Sequence, residues 1–472
     1  MSKTVPEQLA ARLAAHNQTH LLRWCEELSQ DEHRTLIEQI EAVDFGLIER
    51  LIAEARYDPT AATETSQARA ERADPPCNLV QLPGSPAEQD EWQEPIRLGE
   101  ELLAAGKLGI ILVAGGQGTR LGFEHPKGMY PMGPVSGKSL FQLLAEQALA
   151  RSRQAGVTIA YYVMTSDATH AETVAFFEEH DFFGLSADDV RFFRQGNMPA
   201  VEILTGKLLL ADKDWLADSP DGHGGMLAAL SGAGLLEDMQ RRGVEYLYYH
   251  QVDNPTAIVG DPAFLGFHVL RDSKMSTKVV AKRSAEEKMG VVCSLDGQTQ
   301  IFEYSDMPPE IAAKTDASGH LLHWAGNTAI HMFDRSFLER LVADELSLPF
   351  HLAHKKVDTI SETGERVRPT EPNAIKYERF IFDALPHARR ALVVEADRRR
   401  EFNPVKNAEG DDSPATAKAA MIALGSDWLR QAGAKFPDGA AVEISPLFAM
   451  DADQLRQKVE PGTEFIQSVL LQ

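Results

Sequence analysis

Lys107-Leu-Gly-Ile-Ile-Leu-Val-Ala114 runs directly into Gly115-Gly-Gln-Gly-Thr-Arg-Leu-Gly122, and this junction decides the fold. The first half is a short, uninterrupted apolar run, the pattern of a strand buried on both faces of a parallel sheet. The second half has glycine at 115, 116 and 118. There the backbone can approach a ligand closely, and several N–H groups can point into one anion-binding concavity. A helix follows, beginning at Ser139-Leu-Phe-Gln-Leu-Leu-Ala-Glu-Gln. The alternation continues outward. Ile159–Thr165 and Tyr246–Gln251 are further strand candidates, the second running into Val252-Asp253-Asn254. Thr277–Ala281, Gly290–Cys293, Ile301–Tyr304 and Ala391–Glu395 follow. Strand–helix alternation over residues 96–404 predicts an α/β domain, doubly wound around a mostly parallel mixed sheet, with an antiparallel insertion at 276–304. Ligands of such sheets bind beyond the carboxyl ends of the strands, where the glycine-rich loop and Asp253 both fall.

Residues 1–95 read as a helical N-terminal segment followed by a linker. Leu21, Cys25 and Leu28 recur at helical spacing, as do Leu36, Ile40 and Val43. Ser29 and Glu32 have capping-box spacing. These helices read as a packing element rather than a partner-binding module. Residues 57–95, with several prolines, read as a linker crossing a surface, and residues 405–472 as a small C-terminal domain with a helix over 417–432.

Acidic residues number 70 and basic residues 47 in 472, a formal net charge of −23. A field of that sign opposes non-specific binding of nucleic acid or anionic lipid. It does not exclude a small anion held by local cations and backbone N–H groups. No apolar run approaches the roughly 20 residues of a membrane span, and residues 1–18 lack the apolar core of a signal peptide. Cys25, Cys77 and Cys293 lie far apart, in no metal-ligand spacing. The expectation is a cytoplasmic protein with reduced thiols, monomeric or a small homo-oligomer, that binds neither nucleic acid nor membrane.

Two familiar phosphate motifs fail. A dinucleotide fingerprint would need glycine at 121, which is Leu121. Gly133-Pro-Val-Ser-Gly137-Lys138-Ser139 approaches a P-loop, but its glycines are one residue too close and Met132 stands at the required position. The chain displays no Ser-His-Asp or Cys-His nucleophile set.

What remains, Gly115-Gly-Gln-Gly-Thr-Arg-Leu-Gly122 followed by Pro126-Lys127, resembles the signature of the UTP-dependent sugar-1-phosphate uridylyltransferases, most closely the UDP-N-acetylhexosamine pyrophosphorylases. The resemblance continues in order through Phe193–Pro199, Pro220–Gly225, Val252–Asn254, Lys282–Cys293, Phe302–Met307, Gly326-Asn327, Asn373–Phe382 and Glu401–Asn407. It implies a nucleotide-diphospho-sugar transferase fold and a reaction of UTP with a sugar 1-phosphate giving UDP-sugar and pyrophosphate. The attacking phosphate oxygen is already ionised. Catalysis then rests on positioning two polyanions and neutralising charge, with Mg²⁺ bridging phosphates.

The resemblance assigns roles residue by residue. Ala114, Gly115, Gly116 and Gly118 wrap base and phosphates. Arg120 and Lys127 bind the leaving pyrophosphate, and Lys376 and Lys406 hold phosphates of UTP and of sugar 1-phosphate. Gln195 meets the uracil edge, and Asp253 ligates the metal. Gly222 and His223 form a second glycine-rich loop. Gly290, Glu303, Asn327, Phe380 and Phe382 surround the sugar. His223 is a departure: the N-acetylhexosamine enzymes usually carry Asn there, and UDP-glucose or broad-range enzymes carry His. It reads as a phosphate or sugar contact and not a metal ligand. The expected substrate is an N-acetylhexosamine 1-phosphate. A glucose or broad-range enzyme is the alternative, and a non-catalytic UDP-sugar-binding protein a second one.

Overall fold

The structure, a computed structural model, describes residues 5–56, 66–343 and 348–472. They fold as two compact units that interleave along the chain, one built from residues up to 64, 195–226 and 348–381, the other from 65–194, 227–347 and 382–472. The sequence reading divides the chain into consecutive stretches. The interleaving arises from pairing between short, polar strands far apart in sequence, which no local pattern reveals.

The larger unit holds a ten-stranded sheet. Eight strands run in the order Leu79–Val80, Leu392–Glu395, Met275–Ala281, Ala325–Asp334, Tyr246–Gln251, Leu108–Val113, Ala160–Thr165, Val190–Arg194. Neighbours pair in parallel except at Ala325–Asp334, which is antiparallel to both of its partners. This is the expected mixed α/β sheet. Leu108 to Leu112 are all buried, so alternate side chains are covered on both faces. Ile110 and Leu112 join Phe141, Leu144, Tyr161, Val163, Tyr248 and Phe264 in the main core. Ser139 caps the helix Leu140–Ala155 by accepting from Gln142 N–H. The expected antiparallel insertion is the hairpin Val291–Leu295/Gln298–Phe302, joined to the sheet at Val291 and Gly326.

Two readings change. The long strand Ala325–Asp334 escapes sequence reasoning because Gly326, Asn327 and a bulge interrupt its apolar alternation. The described part of the expected linker is structured. It contains the helices Ser66–Glu71 and Pro86–Glu91, the start of Gln93–Ala104 and the sheet-edge strand Leu79–Val80. Ser85 caps the second helix with Pro86 at its first turn, while a strand of two residues is too short to leave a pattern. Residues 57–65 of that expected linker lie outside the described residues.

Residues 413–472 pack a small core of their own, with Leu429, Val442, Leu455 and Val469 between the helices Pro414–Gln431 and Ala452–Lys458 and a parallel strand pair. In the smaller unit the N-terminal helices bury Leu13, Leu21, Leu36 and Ile40 against Val201, Leu208, Ile375 and Tyr377. The Ser29–Glu32 capping box forms, and buried Gln18 bonds the backbone of Gly206 and Leu208. The helices are a packing element, as their periodicity suggests.

Candidate active site

The strands Leu108–Val113 and Tyr246–Gln251 end side by side, with Val113 opposite Gln251. Beyond them lie the glycine-rich loop and Asp253. Ala114 is buried, and its N–H extends the ladder to the Met164 carbonyl (2.8 Å). The loop then closes as a lasso. Gly118 N–H donates to the His125 carbonyl (2.9 Å), and Lys127 N–H to that of Gly116 (3.0 Å). Ser166 Oγ holds the Gly115 carbonyl (2.7 Å). Gly118 is required by close packing, because a Cβ there would lie 2.8 Å from the Phe123 ring. Gly116 is exposed, and a Cβ on it would meet nothing within 4 Å. Gly118 thus uses its N–H inside the loop. Those of Gly115 and Gly116 make no backbone hydrogen bond among the described residues.

The lasso returns Lys127 to the strand ends. Its Nζ lies 3.9 Å from Asp253 Oδ2 and donates to the Val405 carbonyl (3.3 Å). Val405 N–H in turn donates to the Asp253 carbonyl (2.8 Å). Asn254 locks this arrangement: its Nδ2 donates to the Glu401 carbonyl (2.7 Å), and its Oδ1 accepts from Asn403 N–H (3.2 Å). Asp253 does not cap the next helix, since Asp261 does so for Pro262–Leu270. The side chains of Lys127 and Asp253 keep 17% and 16% of their surface exposed, enough for a ligand to reach. Arg120, on the turn Thr119–Leu121, is exposed and makes no ion pair among the described residues. Lys406 lies over the Phe402 ring (5.4 Å) and 3.8 Å from Asp412.

Among the described residues, no cluster of three or more His, Cys, Asp or Glu side chains can hold a metal. Asp253 alone fits Mg²⁺, which commonly takes one or two carboxylates and fills its shell with phosphate and water.

Gly290, Glu303 and Asn327 come together. Asn327 N–H donates to the Gly290 carbonyl (2.8 Å), and a Cβ on Gly290 would lie 2.9 Å from Glu303 Oε1. Glu303 itself takes the space beside this glycine. Phe382 is buried in the same unit, on the turn Ile381–His387.

The smaller unit assembles Gln195, Gly222, His223 and Phe380. Asp221 is the hub. Its N–H donates to the Gly196 carbonyl (2.9 Å), its carbonyl accepts from Arg379 N–H (2.8 Å), and its carboxylate pairs with the Arg379 guanidinium. Gly222 has φ +82°, and a Cβ on it would lie 2.4 Å from the Arg379 carbonyl oxygen. Only glycine accepts both conditions. Ile381 N–H donates to His223 Nδ1 (3.1 Å), which leaves the ring proton of the neutral imidazole on Nε2. Burial, then the neighbouring His351, hold this imidazole's pKa down to about 4. His223 is therefore a neutral hydrogen-bonding group at physiological pH. Its ring stacks on Phe380 (5.3 Å), whose other neighbour is His351 (4.5 Å). Phe380 and Phe382 do not alternate on a strand, because the strand Ala374–Arg379 ends before them. Gln195 is buried directly after the strand Val190–Arg194. Lys376 is half-buried on the strand Ala374–Arg379 and makes no ion pair among the described residues.

The loop resembling a P-loop does receive an anion, but from the chain itself. Val135 and Ser136 N–H both donate to Glu443 Oε2 (2.7 Å each), and Ser136 Oγ donates to Oε1 (2.6 Å). Lys138 pairs instead with Glu146 (2.7 Å). Glu443 gives no signal in the sequence because its partner lies about 300 residues away.

Residues 77–437 match the family described as UTP–glucose-1-phosphate uridylyltransferase. The chain belongs to this family. Within it, the chain is 38% identical to the UDP-N-acetylhexosamine pyrophosphorylase-like protein 1 of Homo sapiens, over 98% of this chain and 97% of that one. It is 39% identical to the UDP-N-acetylglucosamine pyrophosphorylase of Saccharomyces cerevisiae, over 81% and 82%. The solved UDP-N-acetylglucosamine pyrophosphorylase of Trypanosoma brucei, in complex with an inhibitor, superposes with a TM-score of 0.81 at 26% identity, covering 97% of this chain and 95% of that one. The family's fold is the mixed α/β sheet described above. Among the described residues no helix is long and apolar enough to cross a membrane.

Proposed function

We propose that this uridylyltransferase-family chain moves the uridylyl group of UTP onto an N-acetylhexosamine 1-phosphate, giving UDP-N-acetylglucosamine or its galactosamine counterpart and pyrophosphate. One observation carries the reading: the open backbone at Gly116, the Lys127 ammonium and the Asp253 carboxylate converge at two neighbouring strand ends. The names borne by relatives spanning nearly the whole chain support it.

A phosphate oxygen of the sugar 1-phosphate forms a bond to the α-phosphorus of UTP. The bond from that phosphorus to the bridging oxygen breaks, and pyrophosphate leaves with the electron pair. No proton needs to move. Lys127 and Arg120 stabilise the charge that grows on the leaving group, in the manner of fixed cations on a phosphoryl transition state. Asp253 would hold Mg²⁺, which when bound neutralises charge on the triphosphate and aligns it. Lys376 and Lys406 hold substrate phosphates. Gln195 offers its amide, both a donor and an acceptor, to the uracil edge. Glu303 and Asn327 accept hydrogen bonds from sugar hydroxyls, and Phe382 lies beside the acetamido group. The unpaired thiols Cys25, Cys77 and Cys293 fit a cytoplasmic setting.

His223 favours a second reading, in which glucose 1-phosphate is accepted. Pyrophosphate release from UTP and Mg²⁺ should be measured with the 1-phosphates of GlcNAc, GalNAc, glucose and galactose, for the unaltered chain and for His223→Asn. Release confined to the N-acetylated pair is expected, with His223→Asn retaining that preference. Release with glucose that disappears in His223→Asn would establish the second reading. Nucleotide binding without release for any sugar would leave a non-catalytic binding protein.

A further inference from the structure

A buried cation stands where the central sheet is interrupted. Lys278 is 2% exposed, on the strand Met275–Ala281. The pairing of that strand with Ala325–Asp334 slips between Thr277 and Val279. At the slip Ala329 takes φ +56°, its N–H donates to Asn327 Oδ1 (3.0 Å), and the Thr328 hydroxyl donates to the Lys278 carbonyl (2.8 Å). The Lys278 ammonium grips Asp261 Oδ2 (2.6 Å) and Glu401 Oε2. Glu401 is the residue whose carbonyl receives Asn254 Nδ2. It begins the segment whose Asn403 and Val405 N–H groups hold Asn254 and Asp253.

One side chain thus has Asn327 on its backbone side and, through Glu401 and Asn254, Asp253 on its ammonium side. Three charges out of water cost more than apolar residues of similar volume, so stability is a poor account of them. Bulges of this kind recur beside active sites, where they re-aim a side chain.

We propose that Lys278 and Glu401 form a positioning pair for uridylyl transfer, fixing the segment 401–405 against Asp253. The proposal rests on the transferase reading above. Lys278 and Glu401 touch no reacting atom and act through the backbone they hold.

The test uses the full chain with Glu401→Met, which frees the segment while leaving Lys278 paired with Asp261, and Glu401→Gln, which can still accept from the ammonium. Turnover with UTP and the best sugar 1-phosphate is expected to fall about 20-fold or more in Glu401→Met, with KM for UTP within about threefold, because displacement by an ångström disables a transition state more than it weakens binding. Glu401→Gln should recover turnover to within about threefold of the unaltered chain. Amide hydrogen exchange over 401–406 should quicken in Glu401→Met and not in Glu401→Gln, a readout independent of activity. Should Glu401→Met fail to fold, Glu401→Asp keeps the charge on a shorter arm and should lose at least about threefold in turnover. Turnover in Glu401→Met, or in Glu401→Asp where that variant replaces it, equal to that of the unaltered chain would overturn the positioning role alone. An unaltered chain that releases no pyrophosphate with any of the four sugars would remove the transferase reading, and this proposal with it.

Discussion

Gly116→Ala separates what the fold needs from what a substrate needs. The added methyl would meet no protein atom within 4 Å, and the backbone there lies outside the left-handed region. Glycine is therefore not required by the folded chain. Replacing it should stabilise by about 0.4–1 kcal/mol, since alanine restricts the unfolded state. If UTP lies against this backbone, the methyl intrudes on the ligand. Inserting one methyl group into a filled contact costs about 1–3 kcal/mol, which is about 5- to 150-fold in KM for UTP. Gly118→Ala is the control. Its Cβ would lie 2.8 Å from the Phe123 ring and carbonyl, so it should destabilise the chain by about 1–3 kcal/mol. Thermal unfolding of both variants, with pyrophosphate release at varied UTP, makes the comparison. Gly116→Ala with an unchanged or raised melting temperature and a KM for UTP within twofold of the unaltered chain would refute the claim that this backbone cradles nucleotide.

Asp253→Asn should lower turnover by about 100-fold and raise the Mg²⁺ concentration needed for half-maximal rate, with little change in melting temperature; a Mg²⁺ titration of initial rates checks this. His250, fully buried on the strand leading to Asp253, has no hydrogen-bond partner for either ring nitrogen among the described residues, and burial holds its pKa down to about 3. The unfolded chain binds a proton there from about pH 6.5 downward while the folded chain does not, so this contribution to stability is full above about pH 6.5 and is lost as the solution is acidified toward the folded value. His250→Phe should accordingly lose less melting temperature than the unaltered chain between about pH 7.5 and about pH 5.

The strands that carry the glycine-rich loop and Asp253 were legible because Leu108–Val113 is apolar throughout and Tyr246–Tyr249 is apolar or aromatic before His250 and Gln251. Their central side chains are buried on both faces, and a short continuous run such as Leu108–Leu112 leading into a glycine-rich turn has the pattern of a strand in a parallel sheet. The loop and Asp253 were legible because each closely follows a strand, and Lys127 through the resemblance that Pro126-Lys127 carries. Ala325–Asp334 was not, although it is the longest strand of the sheet. Its Asn327 and Thr328 side chains mend a bulge, and a mended bulge looks polar in sequence. The interleaving of the smaller unit was invisible as well. Its pairs, such as Ile375 with Val201, join residues about 170 positions apart through strands of two to six residues. His223 could be located from its loop but not characterised. Its neutrality comes from burial and from the neighbouring His351, which only folding brings to it.

The carboxylate of Glu443 seated in the 133–137 loop turns the C-terminal segment into a stopper. The N–H groups and hydroxyl of this loop are spent on that carboxylate, so they are closed to any other anion while Glu443 is in place. The same contact sets a boundary for anyone trimming the chain. A fragment ending near residue 405 would keep the glycine-rich loop, Lys127 and Asp253, yet leave two inward-turned amides and a hydroxyl open to whatever anion the solution supplies. The smallest faithful piece of this protein therefore has to reach past Glu443.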